Sequence, residues 1–242
     1  MCRLFWIMNN KEIYINGSLS CIDLTNIKEQ MELINKSDIH SLHYDVVDGE
    51  FNDCFCFGDL MLEKMRPLTN KKICVHLACN NVEKYIEPMI RNGADYIAIH
   101  YETKCDHFAL FDKIQQLGAK PVLAFKCDTG VPDDFIEMAK RCEWVLKLTV
   151  NPGYAGQKFK PEVIDSIKGL RKALDDNYLN DILIETDGNM SLDNAPIAVK
   201  AGANIITGGS SGLFNQVDSI DNNYKKLYDV CINALSTRKA VD

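Results

Sequence analysis

In the run Leu42-His43-Tyr44-Asp45-Val46-Val47-Asp48-Gly49 an imidazole and a carboxylate stand two residues apart, and the period of a strand puts both on one face. A second imidazole, His76, sits in Val75-His76-Leu77, and a second carboxylate, Asp187, ends Glu185-Thr186-Asp187-Gly188. Each has an ordinary explanation when taken singly. A histidine at a strand end is usually a satisfied polar residue, and an aspartate before glycine is usually a turn former. Jointly they ask for another, because buried carboxylates gathered without a cation are costly. Two imidazoles and two carboxylates form a mixed nitrogen and oxygen donor set that suits a divalent zinc, iron, manganese or cobalt ion. His43, Asp45, His76 and Asp187 are therefore the candidate metal ligands.

Two glycine-bearing loops come late in the chain, Asp187-Gly188-Asn189-Met190-Ser191 and Gly208-Gly209-Ser210-Ser211-Gly212-Leu213-Phe214. Loop amides and a short helix N-terminus at such places can hold a phosphate without any basic patch. Gly188, Asn189, Gly209, Ser210 and Ser211 are the candidate phosphate contacts, and Asn189 tolerates the left-handed backbone such a nest requires. A third loop, Val150 to Phe159, is long and punctuated by Gly153 and Gly156, which suits a cover over a ligand or a plain connection.

These residues need a frame that brings distant strand ends together. Apolar β-branched runs at 12–19, 39–46, 72–77, 95–100, 120–125, 144–150, 181–187 and 203–207 alternate with amphipathic stretches at 23–36, 58–66, 81–92, 106–117, 132–141, 161–175, 191–201 and 220–235. Asp106 and Ser191 stand where helices begin, and Gly93, Gly118 and Gly202 where they end. Eight strand-helix units close most naturally into a (β/α)₈ TIM barrel, with an open doubly wound sheet as the competitor. The chemistry-bearing residues favour the barrel, since its closure carries every strand's C-terminal end to one rim. No Pro- or Ser-rich linker divides the 242 residues, so a single domain is expected, with residues 1–11 as an N-terminal extension.

A formal net charge of −7 argues against a nucleic-acid surface. The ten cysteines are scattered rather than paired in CxxC halves, and no secretory signal precedes them, so reduced thiols in a cytoplasm are expected. The apolar opening Leu4 to Met8 is far short of the roughly 20 residues of a membrane span.

At these residues the sequence resembles the ribulose-phosphate 3-epimerase family, from about Gly17 to Phe214. His43 to Gly49 is similar to the family's His-x-Asp-Val-x-Asp-Gly run, and Thr149 to Phe159 to its Thr-Val-x-Pro-Gly-x-x-Gly-Gln-x-Phe run. The resemblance implies a metal held by His43, Asp45, His76 and Asp187, with Asp45 and Asp187 as the two acid/base groups. It further implies substrate contacts at Ser18, His76, Gly153, Ala155 and Gly156. A small phosphorylated ketose is the implied substrate, and a homo-oligomer, dimer or hexamer, the implied assembly. Ser18 to Leu24, Ser211 to Asn215 and Asn189 look more like the allulose-6-phosphate 3-epimerase branch.

Departures from the family pattern concentrate at the rim. Its usual methionines correspond here to Val47, Ala78 and Leu148, its histidine after Asp-Gly to Glu50, and an apolar strand residue to Lys147. Alternation with Leu148 turns Lys147 toward the helix layer, a structural place. The implied reaction inverts C3 of a 2-keto sugar phosphate through a cis-enediolate, with one aspartate removing a proton and the other returning it to the opposite face. One rival, a decarboxylase or aldolase of the orotidine-monophosphate decarboxylase group, calls for an Asp-x-Lys-x-x-Asp run that the strand of His76 lacks. Another is a catalytically slow sugar-phosphate-binding paralogue, suggested by the lost methionines.

Overall fold

The computed structural model describes residues 12–151 and 156–238, so the expected extension at 1–11 and two expected substrate contacts, Gly153 and Ala155, lie outside the described residues. Eight parallel strands form a closed barrel in sequential order. They are β1 (Tyr14–Ser18), β2 (Ser41–Val47), β3 (Lys72–Ala78), β4 (Tyr96–His100), β5 (Lys120–Phe125), β6 (Trp144–Leu148), β7 (Leu183–Asp187) and β8 (Ile205–Gly208). Closure comes from β8 pairing with β1 along Tyr14↔Ile205 to Gly17↔Gly208. Around them run α1 (Ile27–Lys36), α2 (Asp59–Met65), α3 (Glu83–Arg91), α4 (His107–Gln116), α5 (Phe135–Ala139), α6 (Val163–Asp176), α7 (Asn194–Ala201) and α8 (Ile220–Arg238). The open doubly wound sheet is thereby excluded.

Alternation along each strand sorts the residues into two cores. Outward-facing Ile, Leu and Val pack under the helices, and Val75 and Leu77 of β3 share one buried cluster with Ile86 and Met89 of α3. Inward, Tyr14, Cys74, Ala98, Val122, Trp144, Leu146, Leu183 and Ile205 fill the barrel floor. Above this plug the inward positions become polar, and the barrel opens into its site.

Element boundaries differ from the sequence expectation where side chains compete with the backbone. Leu19, expected as the last residue of the first strand, instead begins a 3₁₀ turn, Leu19–Cys21. The first helix starts at Ile27 rather than at 23 because Asp23 accepts hydrogen bonds from the N–H and hydroxyl of Thr25. Asp106 caps α4 by accepting from the Ala109 N–H at 3.1 Å. Ser191 instead stands outside α7 and accepts from the N–H groups of Asp193 and Asn194 in a local turn. Gly93, Gly118 and Gly202 all adopt the positive φ expected of them, 104°, 89° and 132°.

Candidate metal and substrate site

Register gathers the four expected ligands toward one end of the barrel. Asp45 pairs with His76 across β2 and β3, while Ser18 of β1 pairs with His43. Asp187 ends β7 between Leu148 of β6 and Thr207 of β8. Among the described residues, His43, Asp45, His76 and Asp187 form a cluster able to hold a metal ion, with one ligand atom from each within 4.8 Å of the others. Nε2 of His43 lies 3.1 Å from Oδ1 of Asp45, 3.3 Å from Nδ1 of His76 and 3.7 Å from Oδ2 of Asp187. Nδ1 of His76 lies 3.1 Å from the same Asp45 oxygen.

Ligand atoms about 2.1 Å from a tetrahedral ion stand roughly 3.4 Å apart. The observed spacings straddle that value, and among the described residues no lysine or arginine lines the cavity to neutralise the two carboxylates instead. The residues present fit a divalent cation.

The electrostatics of the metal-free cluster are those of two acids sharing one place. Burial pushes the Asp187 carboxyl up to about 6, with the His43 cation opposing and the Asp45 charge adding. Burial acts on Asp45 too, but His43 and His76 outweigh it and hold that carboxyl well below the usual range. Burial also disfavours a charged His43, yet Asp45 and Asp187 prevail and hold its pKa well above 6.5.

Further polar groups, not identified as functional in the sequence, hold the cluster in place. Glu185 is completely buried two residues before Asp187 and faces inward with it. Its Oε1 lies 3.3 Å from Nδ1 of His43 and accepts from Asn16 and Thr207, and its Oε2 accepts from the Trp144 indole at 2.6 Å. Burial opposes a charge on Glu185, and these donors overcome it, so its pKa lies below the ordinary value. Ser20, carried by the 3₁₀ turn after β1, donates to Oδ2 of Asp45 at 3.0 Å, closer than the expected Ser18 at 3.5 Å. His100 ends β4 with its Nε2 2.8 Å from Nε2 of His76. The spacing His100-x-Glu102 repeats the pattern of His43-x-Asp45, which is the signal that marks it.

A cavity of about 210 Å³ opens over the cluster. Asp45, His76 and Asp187 reach it, as do Ser18, Gly156 and all five expected phosphate residues, Gly188, Asn189, Gly209, Ser210 and Ser211. His43 lies beneath it, fully buried. Gly188 has φ 113°, and an added Cβ there would stand 2.6 Å from Val150 Cγ2, so no side chain fits this bend. Asn189 has the left-handed φ of 50° and donates to the Gln157 carbonyl at 2.8 Å, joining the loops after β6 and β7. The short helix expected after β8 is a turn instead, with the N–H groups of Gly212 and Phe214 both bonded to the Gly209 carbonyl. Val47, Ala78 and Leu148 line the cavity, whereas Glu50, expected at this rim, is exposed outside the lining.

Comparison with known proteins places this geometry in context. Residues 14–214 match the ribulose-phosphate 3-epimerase family profile. The ribulose-phosphate 3-epimerase of Synechocystis sp. is 35% identical over 210 residues, which cover 85% of this chain and 89% of that protein. The enzyme of the same name from Methanocaldococcus jannaschii is 30% identical, with 93% of each chain covered. Among solved structures, the 3-hexulose-6-phosphate synthase of Salmonella typhimurium superposes with a TM-score of 0.64 at 14% identity, covering 92% of this chain and 100% of that one. At that identity the likeness concerns the fold alone.

Proposed function

The chain belongs to the ribulose-phosphate 3-epimerase family and is an isomerase, and we propose that it inverts C3 of a ketose phosphate in a metal-dependent reaction, with D-allulose 6-phosphate preferred over D-ribulose 5-phosphate. The observation that carries the reading is the convergence of His43, Asp45, His76 and Asp187 under a cavity whose far side is built from the loops after β7 and β8. When bound there, a divalent cation supplies Lewis-acid stabilisation of the negative charge that develops on the substrate oxygens.

The rest of the chemistry falls to the protein. Asp45 and Asp187 reach the site from β2 and β7 and take the two acid/base roles, one on each face of C3. Before a cation binds, the two carboxyls are shifted in opposite directions, one held low and the other raised to about 6, so they differ in proton affinity as an acid/base pair should. Ser20 orients the Asp45 carboxylate, and Ser18, 2.9 Å from Ser20, meets the substrate beside it. Gly188, Asn189, Gly209, Ser210 and Ser211 receive the phosphate, which sets C3 between the carboxylates. Gly156, after β6, meets the sugar from the cavity wall.

Support for the longer substrate comes from Val47, Ala78 and Leu148, whose side chains leave more room over the reacting centre than methionine would. The proposed setting is the cytoplasm, which suits described cysteines that are not joined in disulfides. The proposed homo-oligomer, dimer or hexamer, rests on family membership. A turnover panel of allulose 6-phosphate, ribulose 5-phosphate and other ketose phosphates in deuterated solvent tests the reading. Epimerisation with deuterium entering at C3 is expected. Tight binding of a ketose phosphate without exchange would make the chain a binding protein instead.

A further inference from the structure

Behind His76 runs a line of polar groups, buried or half-buried, that the reaction itself does not use. Nδ1 of His76 faces Asp45 and His43, while Nε2 lies 2.8 Å from Nε2 of His100. Nδ1 of His100 lies 3.0 Å from Oε2 of Glu102. The other Glu102 oxygen accepts the Lys126 backbone N–H at 2.9 Å and the Thr129 hydroxyl. Those residues belong to the loop after β5, and Lys147 of β6 donates its Nζ to the carbonyls of both, at 2.6 Å for Lys126. His76, His100 and Lys147 are all buried.

The proton assignment along this line is constrained. If Nδ1 of His76 turns its lone pair to a cation, the ring proton must sit on Nε2, which then donates to His100. Nε2 of His100 must in turn be bare, so its own proton sits on Nδ1 and is donated to the Glu102 carboxylate. With both imidazoles neutral, no other arrangement satisfies every contact. Glu102 can hold that end only if its second oxygen is fixed, and the Lys126 N–H and Thr129 hydroxyl fix it. Lys147 ties this loop to β6. An ammonium shut away from water needs acceptors, and the Lys126 and Thr129 carbonyls are the two it finds.

We propose that His100, Glu102 and Lys147 are positioning residues for the metal centre, holding the His76 ring so that Nδ1 stays turned toward the ion. This rests on the assignment of His76 as a ligand. His43 has a direct carboxylate support in Glu185, whereas His76 reaches its carboxylate through a second imidazole. Partners of this kind fix the tautomer and orientation of a ligating histidine, and their loss weakens metal affinity by about 10- to 100-fold.

The test is a titration of metal-stripped protein with Co²⁺, reading the dissociation constant and the visible ligand-field band, with circular dichroism to establish folding. His100→Leu is expected to weaken Co²⁺ binding by about 10- to 100-fold and to shift the band. His100→Gln, whose amide can accept at one atom and donate at another, is expected to recover much of the loss. Lys147→Met keeps the bulk and removes the ammonium, and it and Glu102→Gln are each expected to weaken binding by about tenfold. Folded variants that bind Co²⁺ with wild-type affinity and an unaltered band overturn the inference. Should His100→Leu fail to fold, unchanged binding in both Lys147→Met and Glu102→Gln overturns it equally. Wild-type protein that takes up no ion overturns the metal reading and this inference together, whereas wild-type uptake with unaffected variants overturns only the inference.

Discussion

Asp45 and Asp187 approach a single nitrogen from two strands, with Oδ1 of the first 3.1 Å and Oδ2 of the second 3.7 Å from Nε2 of His43. Each side chain is 20% exposed, and both line the cavity. Such a pair is comfortable when a cation lies between them and strained toward protonation when none does.

Removal of the ion is therefore expected to abolish turnover, with recovery on adding back a divalent metal. The same addition should stabilise the fold, by about 2.7 kcal/mol at an ion concentration one hundred times Kd. Activity and thermal unfolding of chelator-treated protein, with and without metal, check both effects.

Asp45→Asn and Asp187→Asn are each expected to lower epimerisation by about 10²- to 10⁴-fold, the usual worth of a placed acid or base. Since inversion needs proton delivery from the face opposite to abstraction, a metal-loaded variant should still exchange the C3 hydrogen of one epimer without converting it. Metal content measured on the same samples separates a lost proton carrier from a lost ion.

Refilling the cavity should reverse the proposed substrate preference. Val47→Met, Ala78→Met and Leu148→Met add bulk at lining positions, and each is expected to raise the kcat/KM ratio of ribulose 5-phosphate to allulose 6-phosphate by about tenfold. A ratio unmoved in the triple variant would detach substrate choice from these positions.

Acid should weaken the metal-free fold partly through His100. Burial lowers its pKa from 6.5 to about 4, so between those values the unfolded chain takes up a proton that the native one refuses, and stability falls as pH falls. Glu102, held at about 2 against its own burial by His100 and Thr129, adds a loss below pH 4.5. His43 and Asp187 shift the other way but are common to wild type and variant. Urea unfolding at pH 7 and pH 4.5 should show a smaller acid loss in His100→Gln, by on the order of 3 kcal/mol.

The sequence made the barrel and its His/Asp cluster legible for one reason: a strand period of two is easily read, and His43-x-Asp45 announces itself beside apolar neighbours. All eight strands lie within a residue or two of their expected limits. What escaped were groups whose meaning depends on a partner far away in the chain. Glu185 reads as one more polar residue until Asn16, His43, Trp144 and Thr207 close around it. Ser20 looked like a neighbour of Ser18, yet a 3₁₀ turn makes it the nearer of the two to Asp45. Lys147 was legible as outward-facing, but its carbonyl acceptors in another loop were not. Glu50 misled because adjacency in sequence to the Asp48-Gly49 turn does not carry a side chain into the cavity.

Glu185 also dates the site within the life of each molecule. Its partners Asn16 and His43 precede it by 169 and 142 residues, so a chain emerging from the ribosome carries His43, Asp45 and His76 long before the carboxylate that steadies the first of them exists. β8, which supplies Thr207 and seals the barrel against β1, comes later still. Contacts between such distant parts of a chain form slowly. A truncated or half-made polypeptide would thus hold three of the four candidate ligands and none of the enclosure they need, which makes the finished cluster a mark of completed synthesis.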